Sequence, residues 1–346
     1  MKPERMKAAE LAALGRIAIR EVPVPDVEAG DVLLKTLAVG LCGTDVKAYR
    51  RGHPFFQPPC VLGHEVVGVV VSVASQVVGM APGMRLACAP YAECGICAIC
   101  RRGLGEICNN KDFISGALQE YIRVPGNMVG RAIVPVPAAL DDATATLFEP
   151  LACAMNGIER ARVARGGTVL VIGGGPMGAL LALLARAREN RVLVSEINGI
   201  RRRRLEQLGL AAIDPTNVPL SEALETAFGA PNAEKVLVAV GHRHVAETAV
   251  GLTAPGGSVL LFGGLPKGEV MSVDPYDIHY REVSVVGSFG YRLAHFRSAA
   301  AWAAEHAGEL KQLITAVTSF SCVGDAFAAA ERGDEMKIVV GFGDAQ

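Results

Sequence analysis

The stretch 168-TVLVIGGGPMGALLALLARA-187 decides the fold. The uncharged run from Gly166 to Ala185 approaches the length of a membrane-spanning helix. Its middle, 173-GGGPMG-178, would break such a helix at its centre, so the run reads instead as strand, turn and helix. Gly173, Gly175 and Gly178 then satisfy G-x-G-x-x-G in the context that gives the pattern meaning: it follows the apolar strand 168-TVLVI and opens the apolar helix 177-MGALLALLARA. Gly173 permits the tight turn, Gly175 lets a pyrophosphate approach the backbone, and Gly178 permits close packing of helix on strand. Pro176 near the first helical turn gives up no hydrogen bond there. The free N–H groups at that helix start face the phosphates of a dinucleotide.

Outward from this turn, apolar strand-like runs recur at intervals of roughly 20 to 25 residues with helical segments between them, the cadence of a doubly wound parallel sheet. They are 168-TVLVIG, 191-RVLVSE, 211-AAID, 235-KVLVAV, 258-SVLLFG and 282-EVSVVGSF, enough for two mononucleotide-binding halves. From Met6 to about Pro137, runs such as 32-VLLKTLAVG and 66-VVGVVVSVA alternate with Gly and Pro turns, the texture of an irregular, mostly β domain. After Tyr291 the pattern is helical through 294-AHFRSAAAWAAEHA and 322-CVGDAFAAAERG, and it ends in the strand-like 337-KIVVGF. The fold class is α/β, with expected boundaries at 1–154, 155–290 and 291–346.

Glu196 closes the second strand of the doubly wound segment, where a carboxylate accepts hydrogen bonds from both adenosine-ribose hydroxyls. A 2′-phosphate at that carboxylate would meet like charge, at about 4 kcal/mol for roughly 4 Å and an effective dielectric near ~20. NAD is therefore expected over NADP. The competing feature is 201-RRRR-204, but helical residues fan around the axis, so the four cannot all face one phosphate. Arg201 could flank the adenosine, and could still accommodate a 2′-phosphate; the others read as a solvated face.

Composition excludes some partners. The 34 Lys and Arg against 35 Asp and Glu leave a net charge of −1, which gives no electrostatic reason to expect nucleic acid or an anionic membrane. Hydrophobic residues make up 51% but aromatics only 5%, so Val, Leu, Ile and Ala must fill the core. The charged N-terminal MKPERMKAAELAALG lacks the features of a signal peptide, so the cytoplasm is the expected compartment. There, clustered cysteines are more often metal ligands than disulfides.

Two constellations bear on metal. Cys94, Cys97, Cys100 and Cys108 follow C-x2-C-x2-C-x7-C in a lobe at about 88–112. Four thiolates close a tetrahedral zinc shell and leave no position for substrate, so a structural zinc is expected. The second set is dispersed: Cys42 in 40-GLCGTDVKAY, His64 and Glu65 in 62-LGHEVVG, and Glu149 in 147-LFEPLACAMNG. A catalytic zinc wants about three protein ligands and an exchangeable position. Cys42 and His64 are the firmest, and either Glu65 or Glu149 supplies the third. Cys60, Cys88 and Cys322 lack a partner pattern and read as core residues, and Cys153 as a packed thiol.

Through 40-GLCGTD, 62-LGHEVVG, the four-cysteine lobe, 148-FEPLACAMNG, 171-VIGGGPMG and 194-SEINGIR, in that order, the chain resembles the zinc-dependent medium-chain alcohol and polyol dehydrogenases. The resemblance implies a GroES-like β domain carrying the catalytic zinc, a Rossmann domain, a C-terminal return to the first domain, and a homodimer or homotetramer built partly through the last Rossmann strand. It implies two zincs per chain and a polar alcohol as substrate. Thr44 would accept the substrate proton. Met177, Arg201, the turn Phe262–Gly263–Gly264, and Ser288 with Phe289 would line the cofactor. In many relatives a relay histidine follows the ligand cysteine by five residues, where this chain has Lys47; His53 is the candidate substitute. The site around 149-EPLACAMNG resembles polyol and threonine dehydrogenases more than simple alcohol dehydrogenases. Oxidation of a secondary alcohol of a polyol, sugar or hydroxy-amino compound is therefore the leading expectation. The readings weighed against it are a threonine 3-dehydrogenase, which Lys47 counts against, a zinc-ribbon nucleic-acid binder, and an inactive relative.

Overall fold

A computed structural model describes residues 3–54 and 56–343. The chain divides into two compact units: Met1–Glu149 with Arg292–Gln346, and Pro150–Tyr291. The first division falls inside the helix Phe148–Arg160.

The continuous unit is built on a six-stranded parallel sheet. Its spatial order is Ala211–Ile213, Arg191–Ser195, Thr168–Ile172, Ala233–Val238, Thr253–Leu261, Ser284–Gly287. The first strand in sequence, Thr168–Ile172, lies at the centre, and the order reverses beside it, as in two mononucleotide-binding halves. Parallel register runs from Thr168↔Arg191 to Ile172↔Ser195 on one side and from Val169↔Lys235 to Ile172↔Val238 on the other. All five residues of the central strand are buried, which is why it reads as an unbroken apolar run. The helix Pro176–Arg186 buries Gly178 through Ala185 and is therefore apolar all round. The helix Gly199–Gln207, by contrast, buries only Leu205.

The discontinuous unit holds a sheet in the order Ile133–Pro135, Arg85–Cys88, Glu65–Val73, Val32–Gly40, Lys337–Gly341, Ile314–Ser319, with Tyr121–Val124 also paired to Val32–Gly40. A three-stranded sheet, Arg16–Pro23, Arg5–Ala13 and Cys60–Val61, completes its β content with the small ribbon Tyr91–Ala92 and Asp112–Phe113. Val32–Gly40 is the organising strand. It pairs antiparallel with Glu65–Val73 (Gly40↔Glu65) and with Lys337–Gly341 (Val339↔Gly40), so Gly40 alone separates the C-terminal strand from the segment that carries His64 and Glu65. The strand Ile314–Ser319, parallel to Lys337–Gly341, is absent from the sequence reading. Two cysteines also depart from it: Cys88 is buried as expected, but Cys60 is only half-buried and Cys322 is exposed, preceding the helix Val323–Arg332 rather than packing in a core.

Candidate active site

Cys42 caps the helix Gly43–Arg51: its Sγ accepts from Thr44 N at 3.5 Å, while Asp45 Oδ2 reaches back to accept from Cys42 N at 3.0 Å. This reciprocal cap fixes the thiol at the end of the organising strand. The other oxygen of Asp45 accepts from Gly63 N at 3.0 Å and lies 3.4 Å from His64 Nδ1. One buried carboxylate thus ties the Cys42 turn to the His64 turn. Burial opposes its charge, but His64 and the amides of Cys42 and Gly63 hold Asp45 below the ordinary carboxylate range. Burial likewise opposes a charged His64, and the carboxylate of Asp45 and the thiol of Cys42 override it, raising His64 well above an ordinary histidine.

Cys42, His64 and Glu65 each bring one ligand atom into a group whose members all lie within 4.8 Å of one another. Glu65 is fully buried and forms an ion pair with Lys337, also buried. Gly40 makes room for this pair, since a Cβ there would stand 2.1 Å from Glu65 Oε2 and 3.0 Å from Lys337 Cε. Glu149, in the first turn of the helix Phe148–Arg160, is buried nearby but outside that group of three. Burial pushes its carboxyl up to about 7, with Glu65 and Asp45 adding to the shift and His64 and Lys337 opposing it. Thr44 is half-buried, Lys47 is exposed, and His53 sits beside the Phe56 ring at 5.4 Å. Burial and the positive charge of Lys47 lower the pKa of His53.

Asp45 and Lys337 were not singled out as site residues by the sequence. Asp45 lies in the quoted motif 40-GLCGTD, and its position three residues after Cys42 is that of a capping box, a legible signal. Lys337 carries no local signal; only the return of the C-terminal strand brings it to Glu65.

The other four cysteines form a separate group with ligand atoms likewise within 4.8 Å of one another. Sulfur separations are 3.9 Å for Cys94 and Cys100, 3.8 Å for Cys97 and Cys108, and 3.5 Å for Cys94 and Cys108. Four sulfurs about 2.3 Å from one tetrahedral zinc stand about 3.8 Å apart, so the donor set fits that ion. Backbone amides reach three of these sulfurs: Cys100 N donates to Cys97 Sγ and Asn110 N to Cys108 Sγ, and the amides of Ile96 and Cys97 lower the Cys94 thiol to about 6, whereas burial pushes the Cys100 thiol up to about 12.

In the other unit, the glycine turn leaves the central strand with no space for side chains. Gly173 has φ +98°, and a Cβ at Gly178 would lie 1.8 Å from Gly173 O. Pro176 and Met177 open the helix that follows, and Gly175 caps it. Glu196 is buried and held at both oxygens, accepting from Gly174 N at 2.7 Å and Asn198 N at 2.8 Å. Each of those oxygens keeps a second lone pair. The Arg201 guanidinium borders Gly175, 3.4 Å from where a Cβ would be. Arg202 corrects the reading of a solvated face: it donates to the carbonyls of Glu196 and Ile197 at 2.7 and 2.8 Å and pairs with Asp214 at 2.9 Å. Only Arg203 and Arg204 are exposed. Phe262, Gly263 and Gly264 follow the strand Thr253–Leu261, and Ser288 and Phe289 follow Ser284–Gly287, both at carboxyl ends of the sheet.

A dinucleotide turn on a doubly wound sheet, in one chain with a cysteine, histidine and carboxylate cluster, defines a class: a metal-assisted dehydrogenase. Comparison with known proteins narrows it. Residues 28–138 match the alcohol dehydrogenase GroES-like domain, and residues 176–305 the zinc-binding dehydrogenase domain. The chain is 36% identical to L-galactonate-5-dehydrogenase of Escherichia coli (strain K12) over 78% of each chain. It is 34% identical to D-altritol 5-dehydrogenase of Agrobacterium fabrum, covering 82% of this chain and 84% of that one. A solved structure from Sinorhizobium meliloti 1021, provisionally described as a zinc-binding dehydrogenase and bound to NADP, superposes with a TM-score of 0.90 at 32% identity, covering 98% of this chain and 100% of the other. The chain belongs to the zinc-dependent medium-chain dehydrogenase family. Among the described residues, no helix is long and apolar enough to cross a membrane.

Proposed function

We propose that this enzyme reversibly oxidises a secondary hydroxyl of a polyol or sugar acid to a ketone, with hydride passing to NAD. The observation that carries the reading is the convergence of Cys42, His64 and Glu65 ligand atoms within 4.8 Å. Cysteine sulfur, imidazole and carboxylate are a donor set that suits zinc and leaves a fourth position open. A zinc ion held there supplies the positive charge that favours loss of the substrate hydroxyl proton.

The chain's own residues do the rest. The Asp45 carboxylate, 3.4 Å from His64 Nδ1, restrains the ring, so His64 would hold the ion through its other ring nitrogen. Lys337 pairs with Glu65, so the carboxylate would remain compensated whether or not it held the ion. Glu149 is the buried alternative to it. The Thr44 hydroxyl, two residues after Cys42, accepts the substrate proton. The second zinc, at Cys94, Cys97, Cys100 and Cys108, staples the lobe and takes no part in turnover.

On the cofactor side, Glu196 is already immobilised by Gly174 and Asn198, so it accepts ribose hydroxyls without reorganising and repels a 2′-phosphate. Arg201, bordering Gly175, favours NADP, the cofactor bound in the Sinorhizobium meliloti structure. The relatives named for L-galactonate and D-altritol favour polyhydroxylated chains over threonine as substrate. We further assign a homodimer or homotetramer joined partly through the sheet-edge strand Ser284–Gly287, and a cytoplasmic location. The test is NADH or NADPH formation by zinc-loaded protein across a panel of alditols, aldonates and threonine. Turnover of an alditol or aldonate with NAD is expected; turnover of threonine alone, or of no member, contradicts the substrate class.

A further inference from the structure

The helix Phe148–Arg160 contributes more than Glu149. Asn156, 1% exposed, points its carboxamide at the turn after the last parallel strand. Its Nδ2 donates to Gly290 O at 2.9 Å, Ser288 Oγ at 3.2 Å and Phe289 O at 3.4 Å. One helical turn later on the same face, Arg160 Nε donates to Gly287 O at 3.3 Å. Between them, Gly157 lets the helix lie against the preceding strand's end, because a Cβ there would stand 3.0 Å from the Phe262 ring and 3.2 Å from Leu181. Just past the helix, Ser258 Oγ donates to Ala161 O at 3.0 Å, tying it to the strand Thr253–Leu261. One helix face thus clamps the carboxyl ends of two neighbouring strands.

Those ends belong to the second mononucleotide-binding half of the sheet. The glycine turn and Glu196 serve the first half, where adenosine sits, and ligands of such sheets lie outside the carboxyl ends of the strands. The parallel ladder ends at Leu261↔Gly287, and past it the helix donors reach the carbonyls of Gly287, Phe289 and Gly290 and the hydroxyl of Ser288. Without the helix donors these acceptors lose that anchorage and are satisfied instead by water, which loosens the turn that carries the 60% exposed Phe289. We propose that Asn156 and Arg160 are positioning residues for the nicotinamide half of the cofactor: they touch no reacting atom, and they fix the Gly287–Gly290 backbone against which that half binds. The inference rests on the reading that the turns after Leu261 and Gly287 line the cofactor.

The test separates the two halves of the ligand. NADH and AMP are titrated against zinc-loaded wild-type protein and against Asn156→Leu, which keeps the bulk and removes both donors. NADH is expected to weaken about tenfold, and AMP, which occupies only the adenosine half, by less than about twofold. Equal weakening of both probes, or of neither, overturns the proposal. Should the leucine variant fail to fold, Arg160→Gln at the exposed helix end decides: about threefold weaker NADH with unchanged AMP is expected, and unchanged NADH overturns it. Wild-type protein that binds AMP but neither NADH nor NADPH sinks the cofactor reading itself, whereas failure of this inference alone leaves wild-type NADH binding intact.

Discussion

Replacing Lys337 with methionine isolates the buried ion pair at the Cys42, His64 and Glu65 cluster. The Lys337 and Glu65 side chains are only 3% and 1% exposed, so each charge depends on the other rather than on water. Burial disfavours the charged amine, yet Glu65, Cys42 and Glu149 raise the Lys337 pKa above its ordinary value. Removing the amine strands Glu65 as a buried carboxylate near the buried Glu149, and breaking such a pair costs about 3–5 kcal/mol. The expected loss in metal-free protein is of that size, read from urea unfolding. Two controls sharpen it. Lys337→Met combined with Glu65→Gln removes both charges and should recover most of the loss. Zinc loading supplies Glu65 with a new counter-charge, so the loss should also shrink in holoprotein. A loss under about 1 kcal/mol in metal-free Lys337→Met, or a double variant no more stable than the single, refutes the reasoning.

Three further outcomes are expected. Gly178→Ala places a methyl 1.8 Å from Gly173 O and must push helix and strand apart; a stability loss of about 1–3 kcal/mol or more and at least about tenfold weaker NADH binding should appear in unfolding and fluorescence titrations. Burial raises Glu149 to about 7, so between pH 4.5 and 7 the unfolded chain releases a proton the folded chain keeps; metal-free protein should lose up to about 3 kcal/mol as pH rises through that window, and Glu149→Gln should flatten the decline in unfolding midpoint. Cys42→Ala should abolish turnover while lowering the thermal midpoint by no more than the loss of one helix cap, whereas Cys97→Ala should lower the midpoint further or disrupt assembly first; the reverse pattern contradicts the division of roles between the two clusters.

The legible parts of the chain are those whose physics is local. Central parallel strands announce themselves where they are buried on both faces: all of Thr168–Ile172, and the Val-Leu-Val end of Ala233–Val238, read as apolar runs. The glycine turn and the four-cysteine lobe are fixed by short spacing. Ile314–Ser319 escaped notice because it is an edge strand whose residues are nearly all half-buried, so 314-ITAVTS shows neither an apolar run nor clean alternation. Lys337 and Asn156 escaped for another reason: each acts on a segment distant in sequence, and only tertiary pairing defines its partner. Arg202 misled because a run of four arginines on a helix resembles a solvated face, while strand ends nearby offered carbonyls and Asp214. Asp45 was recoverable, since its capping position follows directly from Cys42.

The central claim is that a sparse cluster binds the reactive metal and the dense one only a staple. Anomalous scattering from crystals of active protein, recorded across the zinc absorption edge, tests it most directly. Two peaks are expected, one among Cys42, His64 and Glu65 or Glu149, the other among Cys94, Cys97, Cys100 and Cys108. A single peak in the four-cysteine lobe, from protein that still turns over an alditol or aldonate, would contradict it.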